Sequence, residues 1–154
     1  MSAIAIIIPI LFIAIILKEI GYIKGLLIAT RKSLIEIVTV VLSIIIFIGI
    51  TYIYGNSLIH YITGGLGVFM FISMWVKQGI TLKGFISMYK YKDVISWEEI
   101  DKVIVISSKD IKVKLLGGFT GQTFHFKKSD YDKIITIFKE RLPNKTDLQV
   151  IEKG

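Results

Sequence analysis

The sequence predicts two parts with different solvents. The first is an α-helical membrane anchor of two or three spans. The second is an α+β domain, a curved antiparallel sheet or split barrel with one C-terminal amphipathic helix. Three observations predict this. From Ile37 to Val76 the chain has no Asp, Glu, Lys or Arg. Beyond Val76 apolar residues alternate with polar ones, as half-buried strands require. From Ser129 onward they fall instead at helical spacing. Composition agrees, with 53% hydrophobic residues and a mean hydropathy of +0.68, above the roughly 45–50% usual for soluble domains.

The first element covers residues 1–17, which are uncharged until Lys18 and Glu19. Roughly 17–25 residues cross a bilayer, so this run sits at the lower limit. Pro9 would kink it, which membrane helices tolerate. It is read as a spanning helix over about residues 2–17. The alternatives are a helix lying in the interface or a cleaved signal peptide, although Met1-Ser2-Ala3-Ile4 lacks the basic start of a signal.

The charge-free run is firmer. As one helix it would reach about 60 Å, against a hydrocarbon core of about 30 Å. It must fold back, and Gly55-Asn56-Ser57 is the cluster of turn formers where it does so. This gives helices over about residues 34–54 and 57–76. A soluble buried hairpin would need a surrounding core that 154 residues cannot supply.

Basic residues orient the anchor. The segment 18–32 holds Lys18, Lys24, Arg31 and Lys32, and the chain after the hairpin holds Lys77, Lys83, Lys90 and Lys92. The loop at Gly55 has no charge. Positive residues stay inside, so the protein is expected in the cell membrane as a multi-pass chain with its C-terminal domain cytoplasmic. That holds even with two spans, because the hairpin alone returns the chain. Lys18, Lys24, Arg31, Lys32 and Lys77 are the expected inner-leaflet or lipid contacts; their plainer role is topology alone.

Few side chains in the anchor invite chemistry. Glu36 would be an ion or proton site if buried, but Arg31 and Lys32 one turn away favour an interfacial ion pair. His60 has no second histidine near it in sequence. Thr63, Gly64, Gly65 and Gly67 form a small-residue patch of the kind that lets helices approach, with packing inside the chain as the first reading and homo-oligomer contact as the second. Tyr52, Tyr54 and Tyr61 bracket the outer loop and Trp75 marks the inner end, as interface anchors do.

The domain is read over 77–143, with 144–154 as a polar tail. Residues 79–92 suggest one or two short strands. Ser96 and Glu99 have capping-box spacing. Val103 to Ile106 is a buried strand candidate. Ile111, Val113 and Leu115 alternate with Lys112 and Lys114, and Phe124 and Phe126 alternate with Thr123, His125 and Lys127 across a Gly117-Gly118-Gly121 loop. Ser129 is read as the cap of a helix whose apolar face is Tyr131, Ile134, Ile135, Phe138 and Leu142, closed by Pro143.

Ile95-Ser96-Trp97-Glu98-Glu99-Ile100-Asp101-Lys102-Val103, with the glycine-punctuated strand before it and the hairpin and capped helix after it, resembles bacterial PH-like domains. Such domains commonly follow two or three membrane helices in small proteins. The resemblance covers about half the chain and implies a PH-like fold with no catalytic residues to carry over. Its members include immunity proteins against membrane-active bacteriocins, and the PH name implies lipid binding, although fold does not fix function.

Enzyme motifs are absent from the sequence. Gly117 to Gly121 precedes a strand, so it is no P-loop, and there is no His-Glu-x-x-His or Gly-x-Ser-x-Gly. With no cysteine, disulfides, thiolate metal sites and a cysteine nucleophile are excluded. No cofactor or metal is expected. Residues 77–154 carry 15 basic and 10 acidic side chains, which an anionic leaflet explains without nucleic acid, at about 1 kcal/mol per nearby cation. Expected partners are therefore the lipid bilayer and either a membrane-active peptide, in self-protection, or a membrane protein that the chain serves as accessory or scaffold.

Overall fold

The computed structural model describes residues 3–87, 94–118 and 121–152. The part of the expected strands on 88–92, with Lys90 and Lys92, lies outside these, as do Phe119 and Thr120 of the glycine loop. The chain divides into a helical unit, residues 1–24 and 32–77, and a sheet unit, residues 25–31 and 78–154.

The helical unit holds α1 (Ala3–Lys24), α2 (Leu34–Tyr54) and α3 (Leu58–Val76). All three are long and apolar enough to cross a membrane, with mean hydropathies of 2.6, 2.7 and 1.5. α1 runs seven residues beyond the expected end at residue 17. Lys18 and Glu19 do not stop it, because both are good helix formers and each finds a partner. Ser33 caps α2, its Oγ accepting the Glu36 backbone N–H at 3.2 Å. The fold-back falls where the turn formers stand. Gly55 N–H donates to Thr51 O at 2.8 Å, and the Tyr61 hydroxyl donates to Gly55 O at 3.0 Å, pinning the turn to α3.

α3 packs against both other helices, and two glycines of the small-residue patch lie at the contacts. A Cβ on Gly64 would run into the Thr51 side chain of α2, and one on Gly67 would meet Phe47 of α2 and Phe12 of α1. Gly65 faces open space. Thr63 turns its hydroxyl back to Ile59 O at 2.7 Å.

The sheet unit has two four-stranded sheets. One runs β1 (Leu26–Ala29), β2 (Gly79–Thr81), β3 (Gly84–Ile86) and β4 (Val94–Ser96), each antiparallel to its neighbour. The other contains β5 (Ile100–Ser107), β6 (Ile111–Gly117), β7 (Gln122–Phe126) and β8 (Asp147–Glu152), in the order β7-β6-β5-β8. β5, β6 and β7 are antiparallel, and β8 joins β5 in parallel. One turn of 3-10 helix, Trp97–Glu99, links the sheets, and Glu99 reaches back to accept the Ser96 N–H at 3.1 Å, the return half of a capping box. Gly84 has φ +140, and a Cβ there would collide with Ile95 O, so only glycine admits the β3–β4 approach.

The core between the sheets is closed by α4 (Tyr131–Arg141). Phe85 is fully buried at its centre, with ring centroids 5.4 Å from Trp97, 5.1 Å from Phe124 and 5.9 Å from Phe138. The Trp97 indole N–H donates to Leu82 O at 2.9 Å, which satisfies its one polar atom. The alternation of β6 puts Ile111, Val113 and Leu115 inside, all at 0% exposure.

Three details differ from the sequence reading. β1 comes from within the basic segment 18–32, where Leu26 to Ala29 form an apolar run between Lys24 and Arg31. The segment after 143 is not only a tail: Leu148 packs on the core and β8 extends the sheet. Ser129 does not cap α4. It lies inside a short 3-10 turn, Lys128–Asp130, and the helix starts after Asp130. Ile137 joins Ile134 and Phe138 as a buried residue of that helix.

Candidate functional site

The polar groups of the helical unit gather where its helices meet the sheet unit in sequence, at residues 18–24, 32–36 and 73–77. Glu19 and Lys77 are buried there, at 3% and 1% exposure. Lys77 Nζ donates to Glu19 Oε1 at 3.1 Å; Oε2 lies 2.9 Å away but off the hydrogen-bonding direction. The Tyr22 ring sits 5.6 Å from both Lys77 Nζ and Lys18 Nζ. Sequence reasoning placed Lys77 among the leaflet contacts. Its burial corrects that: Lys77 joins α3 to α1 instead. Glu19 was passed over, and the only signal for the pair was one charge of each sign at the edges of apolar runs 58 residues apart.

The second cluster is Lys32, Glu36 and Trp75. Lys32 Nζ donates to Trp75 O at 2.5 Å and stands 5.2 Å from the centre of the Trp75 ring. Burial draws its ammonium from 10.5 down to about 8, partly offset by the nearby Glu36 carboxylate. Glu36 Oε2 and Trp75 Nε1 are buried and have no hydrogen-bonding partner among the described residues. Of the two cations one turn from Glu36 in sequence, Lys32 feels its carboxylate, while the Arg31 guanidinium lies 3.9 Å from Asp110.

Lys18 and Lys24 are exposed on the last turns of α1. Arg31 belongs to the sheet unit. Its backbone N–H donates to His125 O at 2.7 Å, and its guanidinium is 3.9 Å from Asp110, whose carboxylate also lies 3.4 Å from His125 Nδ1. This exposed trio fastens the chain after β1 to β7. His60 accepts the Asn56 backbone N–H at 3.4 Å and stays at the turn.

Two surfaces complete the inventory. Between α2 and α3 an apolar cleft of about 260 Å³ is lined by Ile48, Thr51, Tyr52, Tyr61, Gly64, Gly65 and Val68. The outer face of the second sheet alternates with the core and carries Lys102, Lys112 and Lys114 beside Ile104, Ile106 and Leu116.

A family model described as a bacterial PH domain matches residues 22–152. The match starts ahead of β1 and takes in the α2–α3 hairpin, which the chain inserts between β1 and β2. Neither curated proteins nor solved structures return a match.

Proposed function

The chain belongs to the bacterial PH domain family, and from that premise we propose that it is a non-enzymatic multi-pass membrane protein holding a basic PH domain at the inner leaflet as a docking module. One observation carries this reading. The PH domain is threaded through the anchor: α1 leads into β1, β1 leads into α2, and α3 leads into β2. The chain passes between helix and strand at three junctions, Lys24 to Leu26, Ala29 to Leu34 and Val76 to Gly79, each only a few residues long. The excess of basic residues, and their position around the helix ends, supports the cytoplasmic side. The lack of any catalytic motif in the sequence supports a binding role.

Sidedness tests the reading, and the absence of cysteine makes the test clean. Single Asn56→Cys and Lys145→Cys variants are treated in intact cells with a membrane-impermeant maleimide. The expected result is labelling of the first only, with the second labelled after permeabilisation. Labelling of Lys145→Cys in intact cells would overturn it.

Two finer roles each have a supporting observation. The apolar cleft between α2 and α3, beside the turn at Gly55, favours capture of a membrane-active peptide and hence self-protection. The basic and apolar outer face of β5 and β6 favours docking of a membrane protein partner. Expression in a peptide-sensitive strain separates them: unchanged survival against a panel of pore-forming peptides removes the first.

A further inference from the structure

We propose that β8 is a self-pairing edge. Two copies of the chain join antiparallel along Asp147–Glu152 about a two-fold axis at Gln149, and their four-stranded sheets merge into one of eight. The contact lies within the sheet unit and does not depend on which side of the membrane that unit occupies.

β8 is the outer strand of its sheet, with β5 on one side and no strand on the other among the described residues. A bare edge offers its row of backbone donors and acceptors to any other strand, so proteins blunt edges with short strands, bulges, Pro, Lys or a covering segment. The other edges here are blunted. β1 and β4 have only four and three residues, and the His125 carbonyl of β7 accepts the Arg31 N–H at 2.7 Å. β8 has six residues, no Pro, no Lys and an unbroken register with β5. Of its apolar residues Leu148 packs on the core, while Val150 and Ile151, on opposite faces, are left 44% and 42% exposed.

The residues of β8 select both the partner and the register. Leu148 and Val150 lie on the core face, beside Val103 and Val105 of β5, and Gln149 and Ile151 on the outer face, beside Ile104 and Ile106. Residues opposite each other on adjoining strands share a face. A two-fold pairing that keeps the sheet continuous therefore sets one residue opposite itself. Centred on Leu148, it leaves Val150 against Thr146 of the second copy. Centred on Val150, it sets Leu148 against Glu152, and centred on Ile151 it sets Val150 against Glu152. Centred on Gln149, it sets Leu148 against Val150 twice, Gln149 against Gln149, and Asp147 against Ile151. Two apolar cross-strand pairs then extend the core face. The two Gln149 amides each offer a donor and an acceptor, and no acid faces an acid. A pair of six-residue edges is small beside the roughly 1,000 Å² of a stable interface. Two chains anchored in one bilayer meet at raised effective concentration, which offsets this; that step rests on the reading that the helices cross a membrane.

The test is disulfide cross-linking of the full chain in isolated membranes, where the lack of native cysteine leaves only the introduced thiol to react. Gln149→Cys brings two thiols together at a Cα separation of about 4.5–5.5 Å, within the roughly 4.4–6.8 Å that a disulfide spans. Mild oxidation should give the dimer as the main product. Asp147→Cys or Ile151→Cys alone sets the Cα atoms about 14 Å apart and should stay monomeric, while the two variants expressed together should cross-link. Thr123→Cys, on the opposite edge strand, is the collision control. Adding Val150→Lys to Gln149→Cys puts a charge into each apolar pair and should cut the dimer roughly tenfold. A melting curve establishes that this variant is folded, and the single-cysteine arms stand alone if it is not. A Gln149→Cys dimer no stronger than that of Thr123→Cys would overturn the proposal, as would equal dimer from positions 147, 149 and 151, or a dimer unchanged by Val150→Lys in the folded protein. A disulfide adduct of another mass would also overturn it, by giving the edge to a different protein.

Discussion

The two units differ in where their charged and large apolar side chains lie. In the sheet unit Ile100, Val103, Val113 and Phe126 are at 0% exposure, while Lys114 and Asp101 face outward. In the helical unit Leu34 and Ile35 lie open, while Glu19 and Lys77 are hidden. The same physics produces both. Apolar surface leaves water for a core in one unit, and the other presents its apolar surface outward on three helices long and apolar enough to cross a bilayer. Glu19 and Lys77 turn inward and pair, as charges do where apolar surroundings would not satisfy them.

That contrast can be broken by mutation. The largest effects are expected at the two buried centres. Lys77→Ala strands a buried carboxylate and should destabilise the helical unit by about 3–5 kcal/mol. Phe85→Ala opens a cavity among Trp97, Phe124 and Phe138 and should cost the sheet unit about 3–5 kcal/mol. The two losses differ in their repair. A Glu19→Leu/Lys77→Met double variant should return close to native stability, since an apolar pair replaces an ion pair without leaving a charge behind. Denaturant unfolding in detergent, followed separately by helix and by Trp97 signals, reads both. A double variant as unstable as Lys77→Ala would show that the pair itself, and not the stranded charge, carries the stability.

A smaller effect separates the glycines. Gly64→Ala drives a methyl into Thr51 and should cost about 1–3 kcal/mol, while Gly65→Ala should cost nothing measurable. Equal losses would mean that Gly65 also faces a neighbour, such as a second copy of the chain. The smallest effect concerns pH. The pKa of Lys32 is lowered in the folded protein, so the unfolded chain binds more protons between about 8 and 10.5. Stability contributed by this group should therefore rise as pH climbs through that window. Lys32→Gln should flatten the rise in melting temperature relative to the native chain, and an identical slope would contradict the shift.

Much of this was legible in the sequence. The hairpin from Leu34 to Val76 followed from length and the missing charges, and its break at Gly55 from turn chemistry. The β5, β6 and β7 strands followed from period-two alternation, and the PH-like fold from the Trp97 segment together with the order of parts. What was not legible depends on distant partners. Leu26 to Ala29 is too short to announce a strand, and it becomes one only because β2 lies alongside after two spans. β8 is mostly exposed, so no buried face marks it in sequence. Glu19 and Lys77 each read as an interfacial charge until the fold places them together. The Lys32 cluster was half visible, as a Glu36 near cations, but its third member, Trp75, is 39 residues further on.

Threading is the claim on which the account turns: a strand ahead of two membrane helices completes the PH sheet behind them. Amide hydrogen exchange across residues 26–31 of the full chain tests it most directly. β1 pairs with β2, Thr30 N–H donates to Gln78 O at 3.1 Å and Arg31 N–H to His125 O at 2.7 Å. The account predicts protection across this segment comparable to that of Gly79–Thr81. Exchange at the rate of an open connector would contradict it, and would return the PH domain to the residues after Val76 alone.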